Sequence, residues 1–252
     1  MNAPLNLMFI NPYTQHEIQQ LGLDNPTIQT TIRPQYAQCG EDLMLAAMLD
    51  AIGLRKGAAL KELRYFEIGA NHPVATSSTY LLHRHHGARG VLVEANPRLI
   101  ADLERARPGD QVLHFAVVAS DIESVDITIS SAHELSSVDP RFPTAFQGGA
   151  YPLQGVERVP AIHINKLMER CWNNPRLSFL SIDVEGLDFD LLRSLDLQRF
   201  TPDMIQIEPS DGFIPGNSLR ICSYLEAAGY TLAARTDVNL LFVRAASWGG
   251  RG

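Results

Sequence analysis

From residue 38 onward the chain alternates between two hydrophobic rhythms. Segments with helical spacing of apolar residues predict amphipathic helices, and short unbroken apolar runs between them predict strands covered on both faces. A first helix is predicted from residue 38, where Leu43, Ala46, Ala47, Leu49 and Ile52 follow helical spacing and Gly53 is the expected stop. A polar, basic stretch at 55–62 leads to a strand at 64–68 and a helix at 76–86 stopped by Gly87. A strand at 90–94 follows, then a helix entered through Pro97 and running to Arg107, and a third strand at 111–118.

The alternation then breaks. Residues 124–130 place Val125, Ile127 and Ile129 on one side, as in a half-exposed strand, and 131–157 are rich in Ser, Pro and Gly without a period. Regularity returns with a helix at 165–172 capped by Asn165, a strand at 177–182, a helix at 187–195, a strand at 204–207 and a helix at 218–228 stopped by Gly229. Runs at 230–234 and 240–243 leave no room for a helix between them, so they are expected to pair as an antiparallel hairpin. The pattern predicts an α/β fold: a Rossmann-like, mostly parallel sheet with helices on both faces and a C-terminal antiparallel hairpin. One domain is expected over 35–245 with an insert at 131–157, an N-terminal arm at 1–34 and a frayed tail at 246–252.

With 252 residues and 45% apolar content, the chain can bury one sizeable core. It has no apolar run of the ~18 residues a membrane span requires. No Lys or Arg precedes Arg33, so no export signal is expected. Cys39, Cys171 and Cys222 lie far apart with no C-x-x-C pair, which suits reduced thiols in a cytoplasm and gives no zinc site. A net charge of −7 argues against a nucleic-acid partner and for a small-molecule or carbohydrate acceptor. A second copy of the chain, giving a homodimer, is the other partner considered.

The chemistry concentrates at strand ends. Glu67 is near the end of the strand at 64–68, with Gly69 and Asn71 in the turn after it; Glu94 ends the strand at 90–94, 25 residues after Gly69, and Ala95 follows. A Gly turn followed roughly 20 residues later by an acid is the spacing of a nucleoside site, the Gly allowing close backbone approach and the acid taking the ribose hydroxyls. The turn lacks G-x-G-x-x-G and so offers no glycine-lined seat for a pyrophosphate, which favours S-adenosylmethionine over NAD. Asn71 is expected near the methionine moiety, and residues 114–116, with Ala116, and the Ser120-Asp121 turn under the adenine. Glu67, Glu94, Asp183 and Glu208 are expected on one rim. By analogy of fold position with class I methyltransferases, Asp183 and Glu185 would lie near a reacting methyl, with Asp183 as proton acceptor and His72 as the alternative base. By analogy with catechol-type O-methyltransferases, Asp183 with Glu208 is also a candidate magnesium pair. His133, Glu134, Ser136, Ser137, Phe146 and Tyr151 of the insert are candidate acceptor contacts. His83, His85 and His86 are expected on a solvated helix face.

Four pieces in order resemble the FkbM family of S-adenosylmethionine-dependent methyltransferases: 38–42 (QCGED), 67–71 (EIGAN), 94–97 (EANP) and 181–186 (SIDVEG). The resemblance runs from 38 to 243 and departs from the family pattern at Ala37, where Ser is frequent. It implies the class I methyltransferase fold and methyl transfer to hydroxyls of sugars, polyketides and other natural products. It also implies a role for Gln38, Glu41 and Asp42 in closing over the cofactor. The alternatives are a non-catalytic S-adenosylmethionine-binding module, N-methyl transfer to a small molecule, and an NAD-dependent sugar-modifying enzyme.

Overall fold

The structure, a computed structural model, describes residues 8–10, 30–32, 35–145 and 151–249. Phe146 falls outside the described residues. The chain divides into two units, residues 1–35 and 36–252. In the first, β1 (Met8–Ile10) and β2 (Thr30–Ile32) pair in parallel, although no strand was expected in the arm. Three residues are too few for a period to show.

The second unit is built on a sheet of seven strands: β3 (Leu63–Ile68), β4 (Arg89–Glu94), β5 (Gln111–His114), β9 (Leu177–Ile182), β10 (Met204–Ile207), β11 (Tyr230–Arg235) and β12 (Leu240–Arg244). Their order is β11-β12-β10-β9-β3-β4-β5, and β12 is antiparallel to both of its neighbours. This is the predicted mostly parallel sheet ending in a hairpin. Every residue of β9 and β10 is buried, which is why both read as mainly apolar runs, with Ser178, Ser181 and Gln206 as their polar residues. One core, with Phe66, Leu180 and Ile205, packs the sheet against α5 (Ile164–Cys171), α6 (Asp188–Ser194) and α7 (Asn217–Ala227). The other, with Tyr65, Phe179 and Met204, packs it against α1 (Glu41–Lys56), α2 (Tyr80–His86) and α3 (Pro97–Ala106).

Several expectations are corrected. Helix α1 runs through Gly53 and stops at Gly57, in left-handed conformation at φ 63°. Gly53 serves a close approach instead, since a Cβ there would meet the Ala58 carbonyl oxygen at 2.5 Å. The expected strand at 111–118 is two strands: β5 joins the large sheet, and β6 (Ala116–Val118) joins a second sheet of order β6-β8-β7. In that sheet β7 (Ser124–Ser130) pairs antiparallel with β8 (Leu153–His163), so the insert is not irregular up to 157. The first residues of β8 are mostly exposed, and Leu153, Val156 and Val159 recur at every third position rather than every second, so no strand period shows. The insert also holds a 3-10 turn at His133–Leu135 and the short helix α4 (Arg141–Ala145). His163, not Asn165, caps α5, its ring accepting from Asn165 N, while the Asn165 side chain bonds Ser194 O and Asp196 N. The tail begins with a helical turn, α8 (Ala245–Trp248), and Ser247 Oγ bonds the buried Asp203 at 2.5 Å. No helix among the described residues is long and apolar enough to cross a membrane.

Candidate active site

Ligands of open α/β sheets bind beyond the carboxyl ends of the strands. Here those ends border a cleft of two lobes. The first lies over β4, β5 and β6 and is lined by Glu94, Ala95, Phe115, Ala116 and Val117 together with His133 and residues 136–138 of the insert. The second lies over β3, β9 and β10 and is lined by Gln38, Glu67, Ser78, Gln206, Glu208 and Asn239, among others. Gly69, Asn71, Asp183 and Glu185 line both.

Backbone contact between two strand exits makes that shared wall. Asp183 N donates to Ile68 O at 2.9 Å, and a Cβ on Gly69 would lie 1.7 Å from Asp183 O. Gly69, where φ is +82°, therefore closely approaches the neighbouring strand exit of this chain. Asn71, also at positive φ, donates its N–H to Glu94 Oε2 at 2.8 Å, and Asn96 N donates to Glu94 Oε1 at 2.7 Å. Burial raises the Glu94 pKa, and these backbone N–H groups oppose the shift by favouring the carboxylate. A carboxylate has about four lone-pair directions, so Glu94 keeps acceptor capacity for ligand hydroxyls.

Phe115, Ala116 and Val117 make an apolar wall where an adenine was expected. His114 turns aside, its Nε2 lying 3.1 Å from Ala95 O. Asp121 pairs with Lys166 at 2.7 Å, and neither Ser120 nor Asp121 lines the cleft. The insert contacts divide: His133, Ser136 and Ser137 border the Glu94 lobe, Glu134 borders the second, and Tyr151 is exposed and lines neither.

Asp183, Glu185 and Glu208 each bring a carboxylate oxygen to within 4.8 Å of the others. Burial raises the pKa of Asp183, opposed by a hydrogen bond with Glu208, and Asp183 Oδ1 is buried without a partner. Burial and then the charges of Asp183 and Asp188 push Glu208 up to about 10. Burial and the neighbouring carboxylates raise Glu185 as well. Glu185 sits at φ 58° in a turn held by three bonds. Val184 N and Gly186 N donate to the two Asp188 carboxylate oxygens at 2.8 and 3.0 Å, and Ser137 Oγ donates to Glu185 O at 2.7 Å. The cluster can take a proton, share one, or hold a cation.

Other predicted residues lie elsewhere. Glu41 Oε1 accepts from Thr236 Oγ1 at 2.6 Å and its Oε2 from Cys39 N, and Asp42 accepts from Tyr36 N at 2.7 Å. Both side chains are buried in these bonds, and of the first motif Gln38 alone lines the cleft. His72 is exposed, its Nδ1 accepts from Val74 N and Ala75 N, and it lines neither lobe, so it is a turn cap rather than a base at the site. Glu67 reaches the second lobe but is tied to Thr79 Oγ1 at 2.5 Å and lies 3.9 Å from Arg107. His83 is buried beside Asp110 rather than solvated. Asp188, Gln206 and Asn239 were missed. Asp188, in the first turn of a predicted helix after Asp183 and Glu185, was the one with a visible signal.

The FkbM methyltransferase domain matches residues 67–232, well over half of the 252 residues. No curated protein matches the chain. The matched span runs from the first acid of β3 to the middle of β11, and it contains the whole shared wall of the cleft. The chain belongs to the FkbM methyltransferase family and is a methyltransferase.

Proposed function

We propose that this methyltransferase moves the methyl group of S-adenosylmethionine onto a hydroxyl of a sugar, a glycan or another natural product. The family implies S-adenosylmethionine use. The reading is carried by one observation: a ribose-suited acid, Glu94, lies on one side of the wall made by Gly69, Asn71, Asp183 and Glu185, and Glu208 on the other side completes a carboxylate trio with two residues of that wall. The residues fit the cofactor. Glu94 has acceptor capacity for ribose hydroxyls, Phe115 to Val117 are apolar enough for adenine, and the orphaned Asn71 Oδ1 and Asp183 Oδ1 offer acceptors to a cationic group. Bound there, S-adenosylmethionine supplies an electrophilic methyl on a positively charged sulfur.

The protein's part is alignment and proton removal. Holding methyl and hydroxyl in line supplies most of the rate. As the oxygen–methyl bond forms and the sulfur–methyl bond breaks, the hydroxyl proton passes to Asp183, which its bond with Glu208 orients. The trio also fits a divalent cation such as magnesium, which takes oxygen ligands: Asp183, Glu208 and Glu185 would hold it, and it would supply positive charge beside the acceptor oxygen. The test is the Asp183→Asn variant, expected to keep S-adenosylhomocysteine affinity within about threefold while turnover falls roughly 10²-fold or more. Assays after chelation and with added magnesium separate the two means of proton removal. Methyl recovered on nitrogen, or full turnover by Asp183→Asn, refutes the reading.

A further inference from the structure

Among the described residues lining the second lobe, the charged groups are Glu67, Glu134, Asp183, Glu185 and Glu208, with no Lys, Arg or His. Of the four side-chain amides in that lining, those of Gln206 and Asn239 are buried. Gln206, on β10, is 2% exposed and donates from Nε2 to Ser78 Oγ at 2.7 Å, while its Oε1 is buried without a partner. Asn239, just before β12, is 6% exposed; its Nδ2 faces Glu41 Oε1 at 3.4 Å, and its Oδ1 is buried without a partner. A carboxylate only accepts, so turning the Asn239 amide over would set two acceptor oxygens against each other. Asn71 Oδ1 and Asp183 Oδ1 on the wall are orphaned in the same way. Buried polar atoms are hydrogen-bonded as a rule, so orphaned acceptors lining a cavity mark where a ligand brings donors.

We infer that the second lobe is the acceptor site, and that Gln206 and Asn239 read hydrogen-bond donors on an acceptor that carries no anionic group. The inference rests on the methyl-transfer reading above. With adenosine beside Glu94, the methyl lies towards the shared wall and its acceptor arrives from the other side. A hydroxyl or amine entering there gives Oε1 and Oδ1 the donors they lack. A phosphate or carboxylate would lose its hydration, meet no cationic side chain among the described lining residues, and face carboxylates and amide oxygens. The lining thus selects neutral or amino-substituted polyhydroxylated acceptors and rejects sugar phosphates and sugar acids. A divalent cation on the trio would have its charge offset by the three carboxylates that hold it, and no Lys, Arg or His among the described lining residues adds to it.

The experiment uses the full chain, S-adenosylmethionine labelled in the methyl group, and a glycan and small-molecule extract of the cells the protein comes from. Labelled products are hydrolysed to monomers and passed over an anion exchanger. Label in the unretained fraction is expected, and label on anionic monomers overturns the inference. In parallel, Gln206→Met should lower label incorporation at least tenfold while calorimetry shows S-adenosylhomocysteine affinity within threefold of the parent. Affinity falling in step with incorporation places Gln206 in the cofactor site and overturns its assignment, as does unchanged incorporation. The fractionation needs the unaltered protein alone, so it decides even if the variant fails to fold. No labelled product of any kind refutes the methyl-transfer reading itself, a result distinct from label on an anion.

Discussion

Replacing Arg107 by Met removes the cation from a buried network behind the cleft. The Arg107 side chain is 1% exposed. Its Nε donates to Asp110 at 3.0 Å, one terminal nitrogen to Pro73 O and Ser77 Oγ at 3.3 and 3.1 Å, and the other to Tyr65 Oη and Thr79 Oγ1 at 3.0 and 2.6 Å. Glu67 is 3.9 Å away. Without the guanidinium, Glu67 and Asp110 stay buried with no cation between them. Removing one partner of a buried pair costs about 3–5 kcal/mol. That is a large part of the ~5–15 kcal/mol that holds a domain folded. Urea unfolding followed by circular dichroism should show the loss. Arg107→Lys keeps the charge and loses the fork, for about 1–3 kcal/mol. Adding Glu67→Gln to Arg107→Met should return part of the loss, because it removes a stranded charge. Pro73, Ser77 and Thr79 flank the turn that carries Thr76 and Ser78 to the second lobe, so folded variants should also bind S-adenosylhomocysteine more weakly. A loss below about 1 kcal/mol in Arg107→Met, or no recovery in the double variant, refutes the charge argument.

Glu94→Ala should lower S-adenosylhomocysteine affinity by roughly 1.5–3 kcal/mol, the worth of charge-assisted hydrogen bonds; calorimetry showing parental affinity rejects the ribose assignment. Ser137→Ala strands the Glu185 carbonyl and should lower unfolding free energy by about 1–3 kcal/mol, an unchanged urea midpoint counting against it. His83, beside Asp110, Arg107 and Arg89, has its imidazole pKa pushed below the usual range by burial, with Asp110 opposing the shift. The unfolded chain therefore takes up that proton near pH 6.5 and the folded protein only at lower pH. Stability should be full above about 6.5 and fall below it by at most ~1.4 kcal/mol per pH unit. His83→Gln should remove that part of the slope, and identical slopes for variant and parent between pH 7.5 and 5 reject the account.

Local sequence carried much of the fold because burial is local. β9 and β10 lie between two layers of helices, so they are mainly apolar on both faces, and their bounds were readable. The acids at 67, 94, 183 and 208 stood out because each ends such a run. The hairpin followed from a connection too short for a helix. What the sequence could not show is which distant group each polar residue meets. Glu41 looks like a ligand for the cofactor until Thr236, 195 positions away, takes its oxygen. The sequence of α2 gives His83 no mark that separates it from His85, yet Asp110 and Tyr65 draw it into the core. Gln206 reads as one more strand residue until the fold sets Ser78, 128 positions away, against its amide and leaves the carbonyl oxygen facing no donor. The split between β5 and β6 has the same origin: one stretch read as a single strand serves two sheets, and the change of partner at Phe115 is made by β4 and β8. Hydrophobic period and turn chemistry depend on neighbours in the chain and determined the elements. Hydrogen-bond satisfaction depends on neighbours in space, so the tertiary structure alone decided which acids are structural and which face the cleft.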